Sequence, residues 1–376
     1  MDLTWLQPVV SGRGPFTSVH IDVSRETADA AHEIELRWQA VRRSLEEQGA
    51  PSEVLDSLEQ TVLQSTGRAG DQGRSVVVGA DGVLLDRVVP RRPVRDSGHY
   101  GAIPHLMPLV RGLDGATTYV LVETDRAGAE ITVVDPMAAE QEHEEVEGGH
   151  DVLHKVPGGG WSHRRFQSRV QDSWDRNAEA VAAQVDRAVD EHRPSVVLVT
   201  GDPYACSALS EALGTEARGL VEQVEGGGRA EGTDDEAFAQ RVEEVLTRRR
   251  QERMGDVLAR YTQAVGQDSQ VAVGFHSVVE ATRGAAVDTL LLHDEPSSDL
   301  RLFAGEDPMQ IGTTRQDVEA LGAQQVIEDR ADAVLIRALA GESASITLVD
   351  PGDVLKDGIG ALLRFDVRPP VPGGRG

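Results

Sequence analysis

Apolar residues recur along this chain with two periods, which predict alternating strands and helices. The segment Phe16 to Val23 alternates between apolar and polar residues, as a half-buried strand does. From Thr27 to Gly49, apolar residues return every three or four positions and predict a helix, and a second helix follows from Ser52. Ser75 to Gly79 and Gly82 to Leu85 then predict the two strands of a hairpin.

The middle of the chain contains the longest helical pattern. Thr117 to Asp125 and Ala129 to Asp135 predict two strands, and the long polar stretch from there to Gly160 is predicted to be a loop. One apolar stripe then follows at helical spacing: Phe166, Val170, Trp174, Ala178, Val181, Val185 and Val189. Ser195 to Gly201 predicts a buried strand, and a further helix begins at Pro203.

The last third of the chain also alternates between helices and strands. A long helix is predicted from Asp234 to Tyr261, followed by a helix from Phe275 to Arg283 and a strand from Val287 to Leu292. The remaining predicted elements are strands around Leu300 to Phe303 and Ser345 to Val349, and a helix at Val318 to Leu321. This alternation predicts an α/β fold, and 376 residues are too many for one ordinary core.

Composition and charge narrow the class of protein. The net charge of −26 argues against a generic nucleic-acid binder, although small basic patches on an acidic body could still contact RNA. The single cysteine, Cys206, excludes an internal disulfide framework and fits a reducing cytoplasm. The first residues lack the pattern of a signal peptide, and no apolar run approaches the ~20 residues of a membrane helix. We therefore predict a cytoplasmic protein without a membrane partner.

Two basic segments stand out against this acidic background. The first, Arg87 to Arg95, is punctuated by prolines, and we interpret it as a solvated connector in preference to an RNA-contacting edge. In the second, glycines 158 to 160 lead through Trp161 into a helix that begins with His163, Arg164 and Arg165. Arg is disfavoured in the first turn of a helix, where unpaired N–H groups attract anions. The second segment therefore indicates an anion site, although a solvated basic turn remains an equal alternative.

Other motifs give weaker signals. No Gly-x4-Gly-Lys-Ser/Thr loop is present, and Gly67 to Gly73 precedes a strand where a dinucleotide loop would follow one, so we interpret it as a turn. Three histidines among many Glu residues could bind a divalent metal, but no helical frame supports them: His143, His150 and His154. Ser162 and His163 could be a nucleophile and its base, but no acid partner is placed. We predict no cofactor, no metal site and no catalytic residue.

The segment Gly159 to Arg169 resembles a motif of the archaeo-eukaryotic peptide-chain release factors, whose relatives include Pelota. Their middle domain carries a loop of the type Gly-Gly-Gln-Ser-x-x-Arg-Phe-x-x-x-Arg, and this chain keeps the Ser, the Arg-Phe pair and a nearby Arg. Gly14 to Val19 and Asp357 to Arg364 extend the similarity over nearly the whole chain. Among the bacterial members of this superfamily, the chain is similar to an actinobacterial branch. That branch includes Balon-like and mycobacterial dormancy-associated ribosome hibernation factors.

The resemblance implies a release-factor or Pelota-like architecture of three domains, each a mixed sheet with packed helices. Residues 1–112 would lie on the decoding-centre side, residues 113–228 would carry the loop and long helix, and residues 229–376 would form a Pelota-like α-β-α domain. Trp161 replaces the glutamine that helps to place the hydrolytic water in release factors. An indole has one donor and no acceptor, so it cannot orient water as an amide does.

We therefore expect a ribosome-binding hibernation or stress factor that occupies the A site and reaches the peptidyl transferase centre without hydrolysis. The residues expected to contact ribosomal RNA are Gly159, Gly160, Trp161, Ser162, His163, Arg164, Arg165 and Arg169. The resemblance also implies elongation factor Tu or another translational GTPase as a partner. Two alternatives stay open: a peptidyl-tRNA hydrolase of the ribosome-rescue type, and a small-molecule or nucleotide-binding regulator without ribosome contact.

Overall fold

The computed structural model describes residues 1–25, 29–66, 70–136, 142–147, 162–228, 235–295, 298–350, 352 and 355–366, without the side chains of residues 147, 162–175 and 235. The chain divides into two compact units. The first unit combines Met1–Asp114 with Arg253–Gly376, and the second unit is Gly115–Glu252. The boundaries of the three domains predicted from the sequence stay a prediction. No helix of the described residues is long and apolar enough to cross a membrane.

The N-terminal part of the first unit is an antiparallel sheet covered by two helices. Its elements are α1 (Gln7–Val10), β1 (Phe16–Asp22), α2 (Ala30–Glu47), α3 (Ser52–Leu63), β2 (Gly73–Gly79), β3 (Gly82–Val89), β4 (Ser97–Gly101) and α4 (Met107–Leu113). The strand order is β3-β2-β1-β4. The apolar stripe of α2 is buried against this sheet: Ile34, Trp38, Val41 and Leu45. The hairpin and both helices predicted from the sequence are therefore confirmed.

The second unit is a five-stranded mixed sheet packed against one long helix. Its elements are β5 (Tyr119–Thr124), β6 (Gly128–Val134), β7 (Glu142–Glu147), α5 (Ser162–His192), β8 (Val196–Gly201), α6 (Pro203–Ala212), α7 (Thr215–Leu220) and β9 (Val221–Gln223). The strand order is β7-β6-β5-β8-β9, in which β5, β8 and β9 run parallel. Val181, Val185 and Val189 of α5 are buried in the core of this unit, as their spacing predicted.

The polar stretch after β6 was predicted to be a loop, and for Glu142–Glu147 that prediction is wrong. These residues form β7, which pairs with β6 in antiparallel register and lies at the edge of the sheet. The side chains of residues 142–145 are exposed. An edge strand with exposed side chains needs no apolar pattern, and charged residues there discourage pairing with another chain. Period-based prediction therefore misses it.

The C-terminal part of the chain begins with a long helix and contains two small sheets. Its elements are α8 (Asp235–Gln267), β10 (Val271–Val273), α9 (Phe275–Arg283), β11 (Val287–His293), β12 (Arg301–Ala304), β13 (Ile311–Gly312), α10 (Arg315–Ala320), β14 (Ile327–Arg330), α11 (Ala331–Gly341), β15 (Ser345–Val349) and β16 (Ile359–Leu363). One sheet has the order β10-β16-β11-β15 and is antiparallel except for β11 and β15. The other has the order β13-β12-β14 and is antiparallel throughout.

Helix α11 joins the two ends of the chain within the first unit. It packs against α1 and α4 from the N-terminal part and against α9, β12 and β14 from the C-terminal part. Beside it, the N–H of Leu3 donates to the carbonyl of Ala344 at 3.1 Å, and the N–H of Ile346 donates to the carbonyl of Met1 at 2.8 Å. These contacts explain why the first and last thirds of the sequence form one compact unit.

Candidate functional site

The loop and helix singled out in the sequence lie mostly outside the described residues. Helix α5 begins at Ser162, directly after the predicted glycine-rich loop. Gly159, Gly160 and Trp161 are not among the described residues, and the side chains of five more predicted RNA-binding residues are not described either: Ser162, His163, Arg164, Arg165 and Arg169. Their role in RNA binding therefore stays a prediction.

A cavity of about 690 Å³ is lined entirely by described residues of the first unit. Its walls come from β4, the connection between β3 and β4, α4, and the start of α11. Five arginines line it: Arg91, Arg92, Arg95, Arg111 and Arg330. Three of them are paired with carboxylates: Arg92 with Asp71, Arg111 with Asp294, and Arg330 with Asp332, which Arg330 binds through Nε at 3.1 Å and Nη2 at 2.8 Å.

The basic segment Arg87 to Arg95 forms part of a strand and part of the cavity wall, whereas the sequence predicted only a connector. Its first residues complete β3, and residues 91–95 line the cavity. Arg92 forms an ion pair with Asp71 at 3.2 Å. Arg91 and Arg95 are exposed and have no acidic partner among the described residues. Two unpaired positive charges therefore lie at the cavity. The preference for a solvated segment over an RNA-contacting edge stays a prediction.

A stacked pair of imidazoles lies at the same cavity. His99 is on β4, and His105 lies in the segment between β4 and α4. Their ring centroids are 3.4 Å apart and their planes differ by 6°. Gly101 is two residues after His99 on β4, and a Cβ placed there would come within 2.6 Å of His99 Nε2. The absence of a side chain at Gly101 therefore leaves the room that the His99 ring occupies.

The carboxylate of Asp329, on β14, faces both imidazoles. His105 Nε2 is 3.0 Å from Asp329 Oδ1, which also accepts the backbone N–H of Arg330 at 2.7 Å. A carboxylate only accepts hydrogen bonds, so His105 carries a proton on Nε2 in this arrangement. His99 Nε2 is 3.7 Å from Asp329 Oδ2, which is too long for a hydrogen bond. This nitrogen is buried and has no hydrogen-bond partner in the described part of the chain.

Two buried side chains of β1 hold the backbone of His105. The N–H of His105 donates to Ser18 Oγ at 3.1 Å, and His20 Nε2 lies 2.7 Å from the His105 carbonyl oxygen. Because a carbonyl only accepts, His20 carries its proton on Nε2, and its Nδ1 accepts from Ser75 Oγ at 2.8 Å. Both polar backbone groups of His105 are therefore fixed by side chains that are at most 2% exposed.

Burial sets the charge state of these groups. It lowers the pKa of His20 to about 4, although the bond to the His105 carbonyl acts in the opposite direction. It also lowers the pKa of His99 to about 4, with the charge of His105 adding to the effect and Asp329 opposing it. Burial acts to raise the pKa of Asp329, but the hydrogen bond from His105 and further favourable contacts outweigh it and leave this pKa below its usual value. At neutral pH, His99 is therefore a neutral imidazole beside an ionised carboxylate.

The structure places the ligand atoms of His99, His105 and Asp329 within 4.8 Å of one another, a grouping that could hold a metal ion. No local motif announces it, because the third residue lies more than two hundred positions beyond the second. The histidines considered in the sequence are elsewhere: His143 lies on β7, where it contacts Glu130 at 3.3 Å and Thr132 at 3.1 Å. His150 and His154 lie outside the described residues.

Comparisons with known proteins give two kinds of similarity over the whole chain. Two uncharacterized proteins from strains of Mycobacterium tuberculosis are each 28% identical over 365 residues, which are 96% of this chain and 96% of the relative. An archaeal translation termination factor aligns over 96% of this chain and 97% of its own, with 15% identity and a TM-score of 0.26. Pelota of Archaeoglobus fulgidus aligns over 97% and 92%, with 12% identity and a TM-score of 0.35.

A family model matches the middle of the chain. The family is described as bacterial archaeo-eukaryotic release factor family 2, and the match covers residues 118–267. These residues extend from β5 to the end of α8, and they include the loop and the start of α5 that the sequence singled out. Residues 118–267 of this chain are therefore similar to bacterial archaeo-eukaryotic release factor family 2.

Proposed function

We propose that this protein is a cytoplasmic ribosome-binding factor that occupies the A site of an idle ribosome during stress and does not hydrolyse peptidyl-tRNA. Its Gly-Gly-Trp loop, residues 159–161, would reach the peptidyl transferase centre. One observation carries the proposal. Within the segment that matches the family model, Trp161 stands where the Gly-Gly-Gln motif of the archaeo-eukaryotic release factors, which this segment resembles, has glutamine.

The chemistry of this replacement separates binding from catalysis. An amide can both donate and accept, whereas an indole has one N–H donor and no acceptor, so Trp161 cannot orient a water molecule as an amide does. A flat aromatic ring instead stacks on an unpaired base, at about 1–3 kcal/mol per base. Arg164 and Arg165, directly after the loop, offer forked donors to phosphate groups. The loop therefore keeps groups that suit RNA binding and lacks the amide that helps to orient the hydrolytic water.

The geometry of α5 supports an anionic ligand at this end of the helix. The helix begins at Ser162 and has no acidic residue in its first turn. The unpaired N–H groups of a helix start favour anions, and the net charge of −26 makes RNA contact unfavourable over most other surfaces. Binding would therefore be concentrated at the loop and the helix start. Residues 229–376 would meet a translational GTPase such as elongation factor Tu.

Co-sedimentation with vacant ribosomes at physiological salt tests the proposal. We expect the wild-type protein to pellet with ribosomes, and we expect Trp161→Ala to weaken binding by about tenfold or more, the equivalent of about 1.4 kcal/mol. Arg92→Ala is the matched control, because Arg92 is exposed and lies in the other unit. Equal losses in the two variants would show that the loop is not the main anchor. A wild-type protein that fails to pellet would favour a regulator without ribosome contact.

The family match favours one other function, a peptidyl-tRNA hydrolase that rescues stalled ribosomes. In that case, Ser162 or backbone groups of the loop would position the water. A release assay with peptidyl-tRNA on stalled ribosomes separates the two functions, with Ser162→Ala as the diagnostic variant. We expect no release by the wild-type protein. Release that depends on Ser162 would establish the hydrolase and exclude the non-catalytic factor.

A further inference from the structure

We propose that His99, His105 and Asp329 form a binding site for a divalent transition-metal ion, for which Zn²⁺ has the matching ligand preferences. Two imidazole nitrogens and one carboxylate are a donor set that zinc accepts, with a fourth position left for a water molecule or an exogenous ligand. The proposal is independent of ribosome binding, because it rests only on the geometry of the first unit.

The distances between the donor atoms suit one shared ion. Atoms bound to a tetrahedral zinc at about 2.0–2.2 Å lie about 3.3–3.6 Å from one another. Here His105 Nε2 is 3.0 Å from Asp329 Oδ1, and His99 Nε2 is 3.7 Å from Asp329 Oδ2. All three ligand atoms lie within 4.8 Å of one another. Both nitrogen–oxygen distances are therefore within a few tenths of an ångström of the spacing that a shared zinc ion requires, and the remaining adjustment is a rotation of the two rings.

The bonding of these atoms points to a missing ligand. His99 Nε2 is buried and makes no hydrogen bond, and a buried polar atom without a partner is costly. Asp329 Oδ2 faces this nitrogen at 3.7 Å, while Oδ1 is engaged by His105 and by the N–H of Arg330. A cation between the two facing atoms would satisfy both at once.

The surroundings hold the donors in place. Ser18 and His20 fix the backbone of His105 on both sides, in the manner of the outer contacts that orient metal-binding histidines. Gly101 provides the space into which His99 Nε2 fits. Asp329 is held by the N–H of its neighbour Arg330. Each donor therefore has its own support, and none of the three relies on a flexible loop tip.

Metal binding requires one specific rearrangement. An ion lies in the plane of each imidazole that binds it, whereas the rings of His99 and His105 are stacked in parallel planes 3.4 Å apart. The two rings must therefore turn apart when an ion enters. The Nε2 proton that His105 donates to Asp329 must also move to Nδ1, because Nε2 needs a free lone pair to bind the ion. Binding should therefore remove the stacking, and this change can be observed.

The cavity around the site indicates what the fourth ligand would be. Arg91 and Arg95 line the same cavity and have no acidic partner among the described residues. Their positive charges disfavour a bare cation and favour an anion beside it. A phosphate oxygen bound to the ion would balance this charge and receive hydrogen bonds from the guanidinium groups. The site therefore fits a zinc ion whose open position takes water or a phosphoryl group.

Calorimetric titration of the chelator-treated protein with Zn²⁺ tests the proposal. We expect one tight ion per chain, and we expect His99→Ala and Asp329→Asn to weaken that binding at least tenfold. Gly101→Ala should weaken it as well, because the new methyl group displaces His99 while all three donors remain in the chain. His143→Ala is the matched control, since His143 lies on the edge strand of the other unit beside Glu130. Circular dichroism of each variant checks that it is folded.

A second measurement uses the wild-type protein alone and therefore does not depend on a variant that folds. In NMR spectra, equimolar Zn²⁺ should shift the ring protons of His99 and His105 and leave those of His276, which is exposed on α9, unchanged. The proposal is overturned if the wild-type protein binds no zinc tightly. It is equally overturned if His143→Ala loses the tight ion while His99→Ala keeps it.

Discussion

Glu342 allows a direct test of how burial controls stability in the first unit. It follows the last residue of α11, and both of its carboxylate oxygens are buried without completing a hydrogen bond in the described structure. Burial raises the pKa of this carboxyl from 4.5 to about 8, and the nearby Arg364 and the backbone N–H of Val287 only partly oppose the shift. A negative charge at a helix C-terminus is also unfavourable. Replacement by the uncharged isostere, Glu342→Gln, should therefore stabilise the protein.

The direction and size of the effect follow from the difference between the folded and unfolded pKa. The folded value is raised, so the contribution of Glu342 to stability is fully present below about pH 4.5 and is lost as the pH rises towards 8. Each pH unit in this window costs about 1.4 kcal/mol, because the unfolded carboxyl is ionised while the folded one stays protonated. The gain from Glu342→Gln should therefore be about 1 kcal/mol at pH 5 and about 3 kcal/mol at pH 7.

Urea unfolding followed by tryptophan fluorescence measures this gain. Trp5 and Trp38 belong to the first unit, so a background with Trp161→Phe and Trp174→Phe makes the signal specific for that unit. Glu319→Gln, on the exposed side of α10, is the control for removing one negative charge from a protein of net charge −26. A gain from Glu342→Gln that is the same at pH 5 and pH 7, or no larger than that of Glu319→Gln, would refute the reasoning.

Three further substitutions test other parts of the fold by the same urea unfolding assay. The fluorescence is read from the tryptophans of the unit that carries the substitution. Gly201→Ala should destabilise the second unit by at least about 2 kcal/mol, since Gly201 has φ +125° and a Cβ would overlap the carbonyl oxygen of Thr124; wild-type stability would contradict this. Asp86→Asn should cost about 2 kcal/mol, because it leaves the buried Arg74 without its bidentate partner. Thr314→Ala should cost about 1 kcal/mol through loss of the capping box of α10, and both costs should exceed that of Glu319→Gln.

Local periodicity predicts the elements that have one buried face. Helix α2 is an example, because Ile34, Trp38, Val41 and Leu45 return at helical spacing and only that stripe is buried. Helix α11 was missed for the opposite reason. Nine of its residues are buried on all sides of the helix, so its sequence, Ala331 to Gly341, shows no stripe. Strand β7 was missed because the side chains of residues 142–145 are exposed and Val146 is its single apolar residue, which leaves no alternating pattern.

The candidate metal site could not be predicted from the sequence, because tertiary folding alone brings its members together. His99 lies on an edge strand of one sheet, and Asp329 lies on a strand of another sheet contributed by the far end of the chain. Metal motifs that can be recognised in a sequence have ligands spaced within a few residues on one element. The Gly-Gly-Trp loop is the reverse case. Its chemistry can be argued from the residues, because Trp161 replaces the glutamine of the release-factor motif. Its geometry lies outside the described structure.

The distribution of charge along α5 explains how a protein with a net charge of −26 could still contact RNA. The acidic strand β7 begins at Glu142. The carboxylate of Glu142 is 3.2 Å from Nε2 of His192, which is the last residue of α5. The basic residues Arg164 and Arg165 follow the first residue of the same helix, about 45 Å away at 1.5 Å per residue. This separation exceeds the Debye length of about 8 Å at physiological salt several times over. If the start of α5 contacts RNA as proposed, the carboxylate of Glu142 is too distant to weaken the attraction of phosphate groups to Arg164 and Arg165.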